Sequence, residues 1–295
     1  MYVKEFLNYL RYERNCSALT VQNYGKDLKH FEAFFTEFDD TLSWEKVDAD
    51  VIKAWMESMM EKGNAATSVN RRLSAVRSFF RYALAYGRIS HDPAYGVTGP
   101  KRKKPLPQFL KESEMDMLLD EKKWDDTYKD VRARTVIILF YSTGMRLSEL
   151  IGLDDNMVDM FNRELKVTGK RNKQRIIPFG DEVAHALAEY IKLRNREVER
   201  KSDALFLTEK GMRMSGSQVR NEVKKNVSQV STLQKRTPHV LRHTFATVML
   251  NHDAGIESVK KLLGHAKLNT TEIYTHTTFE QLKKAYQKAH PRQNG

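Results

Sequence analysis

Apolar residues recurring at three- and four-residue spacing predict helices through most of the chain. Thr20 to Phe35 sets Val21, Tyr24, Leu28, Phe31 and Phe35 on one face, and Ala49 to Glu61 forms a second helix that stops before Gly63. Ser68 to Tyr86 carries a stripe of Val69, Leu73, Val76, Phe80 and Ala83 and ends at Gly87, a residue that accepts the left-handed turn closing a helix. Its other face holds Arg71, Arg72, Arg77 and Arg81 with no acid between them. A solvated basic face accounts for these arginines, and so does phosphate contact, which an all-arginine row favours.

The segment GVTGPKRKKPLPQF, from Gly96 to Phe109, has three prolines, two glycines and the consecutive bases Lys101, Arg102, Lys103 and Lys104. It reads as an interdomain linker that either lies along phosphates or is simply solvated. Beyond it, helices are expected at Ser113–Leu119, Thr127–Gly144, Arg146–Leu150, Asp181–Val198 and Ser215–Val227. Between them, Leu165–Val167 and Arg175–Pro178 form a β-hairpin joined by the polar loop Gly169–Gln174. Helices at His239–His252 and Ile256–Leu263 precede a turn and a helical Thr270–His276. The tail, Phe279 to Ala289, spaces Leu282, Ala285, Tyr286 and Ala289 as one apolar face with no evident local partner, and Pro291 stops it. No internal repeat is seen. The expected fold is mainly α with a small β-hairpin or sheet, in two domains. Residues 1–97 form a helical domain, 98–109 the basic linker, 110–278 the second domain and 279–295 the tail.

Charge changes this picture. The 295-residue chain has a net charge of +12, yet its first hundred residues carry 13 of the 50 Lys and Arg and 13 of the 38 Asp and Glu, so the whole excess lies beyond them. Such segregation points to a polyanionic partner, nucleic acid before an acidic membrane surface. The single cysteine, Cys16, excludes an intrachain disulfide and fits a reducing cytoplasm; a small side chain ahead of a helix explains it better than a nucleophile does. The N-terminus, MYVKEFLNYLRYERN, is amphipathic, carries acids and lacks the apolar run of a signal peptide, and no stretch is long and apolar enough to span a membrane.

Four segments carry chemistry. They are Thr143–Glu149 (TGMRLSE), Gly169–Lys173 (GKRNK), His239–His243 (HVLRH) and Leu263–Tyr274 (LGHAKLNTTEIY). Singly, each has a bland explanation: Arg146 as a helix cap or the partner of Glu149, Lys170 as a hairpin-tip lysine, His239 and His265 as hydrogen-bonded core histidines, and Tyr274 as one packed tyrosine of twelve. Together they assemble a task. A phosphodiester under attack gathers charge on its non-bridging oxygens, and the planar forks of Arg146 and Arg242 suit two oxygens at once. Lys170 can protonate the leaving oxygen, His239 can take the proton of the Tyr274 phenol, and His265 can hydrogen-bond the phosphate.

His239 and His243 have the i, i+4 spacing of zinc ligands, but Val240 stands where the zinc-protease motif has glutamate. Asp154, Asp155 and Asp159 lack the partner carboxylates of a two-metal nuclease, and no phosphate-binding loop for ATP is present. No metal and no cofactor are therefore expected.

These segments resemble the tyrosine recombinase (phage integrase) family over nearly the whole chain. The family's ordered signature falls on Arg146, Lys170, His239, Arg242, His265 and Tyr274, and Glu149 matches an acidic position that orients the site. The hairpin departs from the family at Arg171, where glycine is common. The tail, FEQLKKAYQKAHPR, resembles the Xer-type bacterial members. The resemblance implies a SAM-like, core-DNA-binding N-terminal domain, a catalytic domain, and cleavage and rejoining of DNA through a 3′-phosphotyrosine and a Holliday junction. It also implies double-stranded core sites as substrate and a homo- or hetero-tetramer, and the tail's apolar face, lacking a local partner, is expected to dock in trans on a neighbouring protomer. The cellular role would be resolution of chromosome or plasmid dimers, with a second recombinase and a septal DNA translocase as possible partners. Gln218 and Arg220 are candidate base readers. A mobile-element integrase, a type IB topoisomerase and a catalytically silent DNA-binding protein of the same fold are the alternatives.

Overall fold

The computed structural model describes residues 2–101, 108–169, 172–264, 285–286 and 288–292. The chain divides into two compact units, Met1–Pro105 and Leu106–Gly295.

The first unit is built from helices α1 (Tyr2–Tyr12), α2 (Ala18–Phe38), α3 (Ala49–Glu61) and α4 (Ala66–Ala85). The amphipathic N-terminus forms α1 by turning Phe6 and Leu10 inward. The α2 and α3 helices start where side chains satisfy orphan amides: Ser17 accepts from Thr20 N, and Asp48 accepts from Asp50 N and Val51 N at 2.9 Å. Phe6, Leu28, Phe31, Ile52, Trp55, Val76 and Phe80 fill the core, with aromatic pairs such as Phe31–Trp55 at 4.8 Å and Trp44–Phe79 at 4.4 Å. The start of the proline-rich stretch packs on α4. Asn70 Nδ2 donates to Pro100 O at 2.9 Å, and a Cβ at Gly99 would sit 2.3 Å from Asn70 Oδ1.

The second unit opens with α5 (Glu112–Asp116), which runs into a π-helical turn at Met117–Glu121, followed by α6 (Tyr128–Thr143) and α7 (Leu147–Ile151). Strands β1 (Val158–Asp159), β2 (Glu164–Thr168) and β3 (Gln174–Pro178) form an antiparallel sheet in that order. Helices α8 (Asp181–Glu197), α9 (Gly216–Val227), α10 (Pro238–Asn251) and α11 (Ile256–Leu263) complete it. The β1 strand is an addition to the expected hairpin; two residues are too few for alternation to announce a strand. The α6 helix is apolar on every side along Thr135–Tyr141, so it runs through the middle of the unit, packed by α8, α9 and α10. In the sheet, Leu165 faces Ile177 and Val167 faces Arg175, and the first three of these form part of the core.

The tail has a home on its own chain, which corrects the reading of its apolar face as locally unpartnered. Tyr286 and Ala289 are buried with Phe245, Met249, Leu262 and Leu263. Tyr286 Oη donates to Ser142 O at 2.6 Å, and Arg292 pairs with Asp116 at 2.9 Å, Glu182 at 2.7 Å and Asp120. The sequence shows the face and both helices, α10 and α11, but not that Tyr286 and Ala289 pack on them. The remainder of the expected Thr270–His276 and Phe279–Ala289 helices lies outside the described residues. No described helix is long and apolar enough to cross a membrane.

Candidate active site

The α6 helix ends at Gly144, whose φ of +59° is left-handed, and a Cβ there would lie 2.3 Å from the Phe245 ring. The turn delivers Arg146 to the N-cap of α7. Arginine has no acceptor with which to cap a helix, so the contact runs the other way: Glu149, three residues on, accepts from Arg146 N at 2.7 Å. The same carboxylate accepts from Arg146 Nη1 at 2.8 Å. It takes a two-pronged pair from Arg175 on β3, Nη1 at 2.5 Å and Nη2 at 2.9 Å. Burial alone would push the Glu149 carboxyl up, but the Arg175 and Arg146 donors outweigh it and hold the group below its usual range.

Arg242 comes from the first turns of α10, where Pro238 at the first helical position has no amide to waste. It is buried, donating Nη1 to Gly144 O at 2.5 Å and Nη2 to Leu263 O at 2.7 Å. Burial, then the neighbouring Arg146 charge, pushes it down to about 10, and it stays protonated at neutral pH.

The three guanidinium groups meet at the C-terminus of α11. Leu262 O receives Arg175 Nε at 3.2 Å, Leu263 O receives Arg242, and Gly264 O receives Arg146 Nη2 at 2.8 Å. Unpaired carbonyls and the negative end of the helix dipole make that end a natural seat for cations. Three arginines against one carboxylate leave an excess of two positive charges in a largely desolvated pocket. Arg146 keeps 28% of its side chain exposed, so an anion can reach it. A doubly charged phosphorane matches that excess.

His239 and His243 lie on the exposed side of α10 with their rings stacked at 5.0 Å. Burial, then the charges of His239 and Arg242, lowers the His243 pKa. Arg146, Glu149 and Arg242 are thus brought together at one pocket, with His239 one turn before Arg242 on the same helix. Lys170, His265 and Tyr274 lie outside the described residues. In sequence, Lys170 follows Gly169 at the end of β2, and His265 follows Gly264.

Four of the seven described residues among the expected DNA contacts have duties within the fold. The arginine row of α4 is not free of acid in three dimensions, because α2 presents the buried Asp27 to it. Arg71 pairs with Asp27 while keeping half its side chain exposed, and Arg72 lies 4.0 Å from the same carboxylate. A carboxylate this buried needs such partners. Arg77 donates to Val97 O, whereas Arg81 is exposed and has no ion-pair or hydrogen-bond partner among the described residues. Gln218 is engaged as the capping partner of Ser215, accepting from its amide at 2.8 Å, and Arg220 and Lys101 are exposed. Arg102, Lys103 and Lys104 lie outside the described residues.

Sequence reasoning overlooked Arg175. The signal was present: two residues before the buried Ile177, it falls on the inward face of its strand, where a charge must be paired.

Comparison with known proteins matches the Phage integrase family over residues 108–281 and its N-terminal SAM-like domain over residues 3–87. The chain is 37% identical to a tyrosine recombinase XerC of Chlorobaculum tepidum, over 98% of this chain and 94% of that protein. It is 34% identical to a tyrosine recombinase XerD of Oceanobacillus iheyensis, over 98% of each. Its fold is that of the XerH site-specific recombinase in a post-cleavage complex with palindromic difH, at a TM-score of 0.69 and 23% identity over 97% of this chain and 84% of that one. The buried arginine pocket thus sits on an integrase fold, and the chain belongs to the phage integrase family of tyrosine recombinases.

Proposed function

We propose that the protein is a site-specific recombinase that cuts and rejoins duplex DNA through a 3′-phosphotyrosyl bond to Tyr274. The observation that carries this reading is the pocket of Arg146, Arg175 and Arg242 around Glu149, whose uncompensated charge of two equals that of a phosphorane. Arg146 and Arg242 bind the non-bridging oxygens. His239 accepts the Tyr274 phenol proton, Lys170 protonates the departing 5′-oxygen, and His265 hydrogen-bonds the phosphate. The phosphorus–oxygen bond to the 5′-oxygen breaks as the bond to tyrosine forms. The 5′-hydroxyl of a partner duplex then reverses the step and makes a Holliday junction. The arginines supply the charge stabilisation that a metal ion gives other nucleases, and the phosphotyrosine conserves the energy of the cut bond, so neither metal nor nucleotide is required.

The cellular role that fits this chemistry is resolution of chromosome or plasmid dimers in the cytoplasm, supported by full-length similarity to proteins named XerC and XerD. Two protomers bind each core site and four assemble, with a second recombinase and a septal DNA translocase as further partners. Residues 1–97 and 110–278 are the core-binding and catalytic domains. In the synapse the tail from Phe279 exchanges its docking site in cis for the equivalent site on a neighbour. Arg81, Lys101, Arg102, Lys103, Lys104 and the exposed part of Arg71 contact phosphates, and Arg220 takes part in base reading.

The test uses core sites selected by the wild-type protein from a random duplex library, then nicked to trap cleavage. Wild type should form a covalent adduct and Tyr274→Phe none, while still binding duplex. An adduct that persists in Tyr274→Phe refutes the nucleophile, and duplex binding by wild type without any adduct points instead to a silent DNA-binding protein.

A further inference from the structure

Arg175 contributes charge to the pocket but touches no reacting atom in the mechanism above, yet it is the most fully engaged of the three arginines. Its strand position faces inward, opposite the buried Val167, and its side chain is 8% exposed. One face of its guanidinium spans both oxygens of Glu149, and Nε reaches Leu262 O at 3.2 Å. The guanidinium also passes close against Gly264, where a Cβ would lie 3.2 Å from its Cδ, Nε and Cζ, and φ is +63°. Glycine is therefore required before His265 for two reasons, a left-handed backbone and a close approach by Arg175. One group thereby ties together three elements. The α7 helix begins at Arg146, β3 leads out of the loop containing Lys170, and the end of α11 leads into His265.

The division of hydrogen bonds on Glu149 is the second half of the case. Arg175 occupies both carboxylate oxygens, so Arg146 places only Nη1 there and turns Nη2 to Gly264 O. Without Arg175, the carboxylate can take Arg146 as a two-pronged partner, which would turn its fork inward and away from the anion. We propose that Arg175 is a positioning residue of the phosphate site, holding Glu149 and the C-terminus of α11 so that the fork of Arg146 stays turned outward, with its remaining N–H groups open to phosphate. This rests on the recombinase reading. A lysine cannot replace it, because a single ammonium cannot span two carboxylate oxygens and a carbonyl.

The test compares full-length wild type with Arg175→Lys and Arg175→Ala on the selected, nicked core sites. Duplex affinity, adduct amplitude and the single-turnover rate constant are measured at saturating DNA. Arg175→Lys should lower the rate constant roughly 100-fold, the loss expected for displacing a reacting group by an ångström, with affinity and amplitude little changed. On a duplex with a neutral methylphosphonate at the cleaved linkage, the deficit should shrink, because misplacing a guanidinium matters less where less charge develops. A merely structural role predicts a fall in amplitude and melting temperature with an unchanged rate constant, and that result overturns the proposal. So does a deficit that is equal on charged and neutral linkages. Arg175→Ala, if it folds poorly, leaves the lysine variant as the deciding one. Absence of any adduct with wild type defeats the recombinase reading itself and this inference with it, and is told apart because it does not depend on Arg175.

Discussion

Replacing Glu149 by Gln keeps the shape of the side chain and removes its charge, and the contacts of the carboxylate set the scale of the loss. The carboxylate is 0% exposed and accepts four hydrogen bonds, two from Arg146 and two from Arg175. Glutamine offers one acceptor oxygen and turns an NH2 group toward guanidinium donors. The charge of the pocket also rises from +2 to +3. Breaking a buried ion pair by removing one partner costs about 3–5 kcal/mol. At about 1.4 kcal/mol per tenfold change, the amides of α7 and β3 should exchange with solvent roughly two to three and a half orders of magnitude faster. Hydrogen exchange read by mass spectrometry reports those segments separately from the N-terminal unit. The pH dependence has a definite sign. The folded carboxyl titrates below the unfolded one, so its stabilisation is fully present above the unfolded value of about 4.3 and is lost as pH falls through the lower folded value. The gap between wild type and Glu149→Gln should hold constant from neutrality down to about pH 5 and close only in stronger acid. Exchange within about tenfold of wild type at neutral pH, the effect of a solvent-exposed pair, would refute the claim that this carboxylate organises the pocket.

Gly144→Ala combines a left-handed φ with a Cβ 2.3 Å from Phe245, so it should lower the melting temperature by several degrees, about 1–3 kcal/mol; an unchanged melt would show that the turn relaxes freely. Arg292→Ala removes the partner of Glu182, whose carboxyl burial already pushes up. Glu182, held above its usual range, is protonated in acid and gives up that ion pair, so the variant's deficit in thermal melts should be smaller near pH 4 than near pH 7, where it should be about 1–3 kcal/mol; a deficit independent of pH would exclude the Glu182 pair as a source. Arg81→Ala should weaken duplex binding and reduce the slope against salt by about one with no change in melting. Arg72→Ala, beside the buried Asp27, should do the reverse, losing stability before affinity, and equal behaviour of the two would contradict the division of labour proposed for α4.

Much was legible without coordinates. The apolar run Thr135–Tyr141 announces a central helix, since no face of it can meet water, and the spacing of Val69, Leu73, Val76 and Phe80 sets the buried side of α4. The ordered set Arg146, Lys170, His239, Arg242, His265 and Tyr274 is visible because its chemistry is coherent as a list. Periodicity is a property of neighbours within a few residues, and the sequence carries it in full. What the list could not contain is where each charge is paired. Three arginines from α7, β3 and α10 converge on consecutive carbonyls of α11, across separations of up to 118 residues. Asp27 crosses from α2 to occupy Arg71 and Arg72. Tyr286 and Ala289 of the tail settle on α10 and α11. Each of these is a pairing between groups distant in sequence, chosen because a buried charge or apolar face must find a partner. The residue types state that need, and only the packed chain decides who meets it.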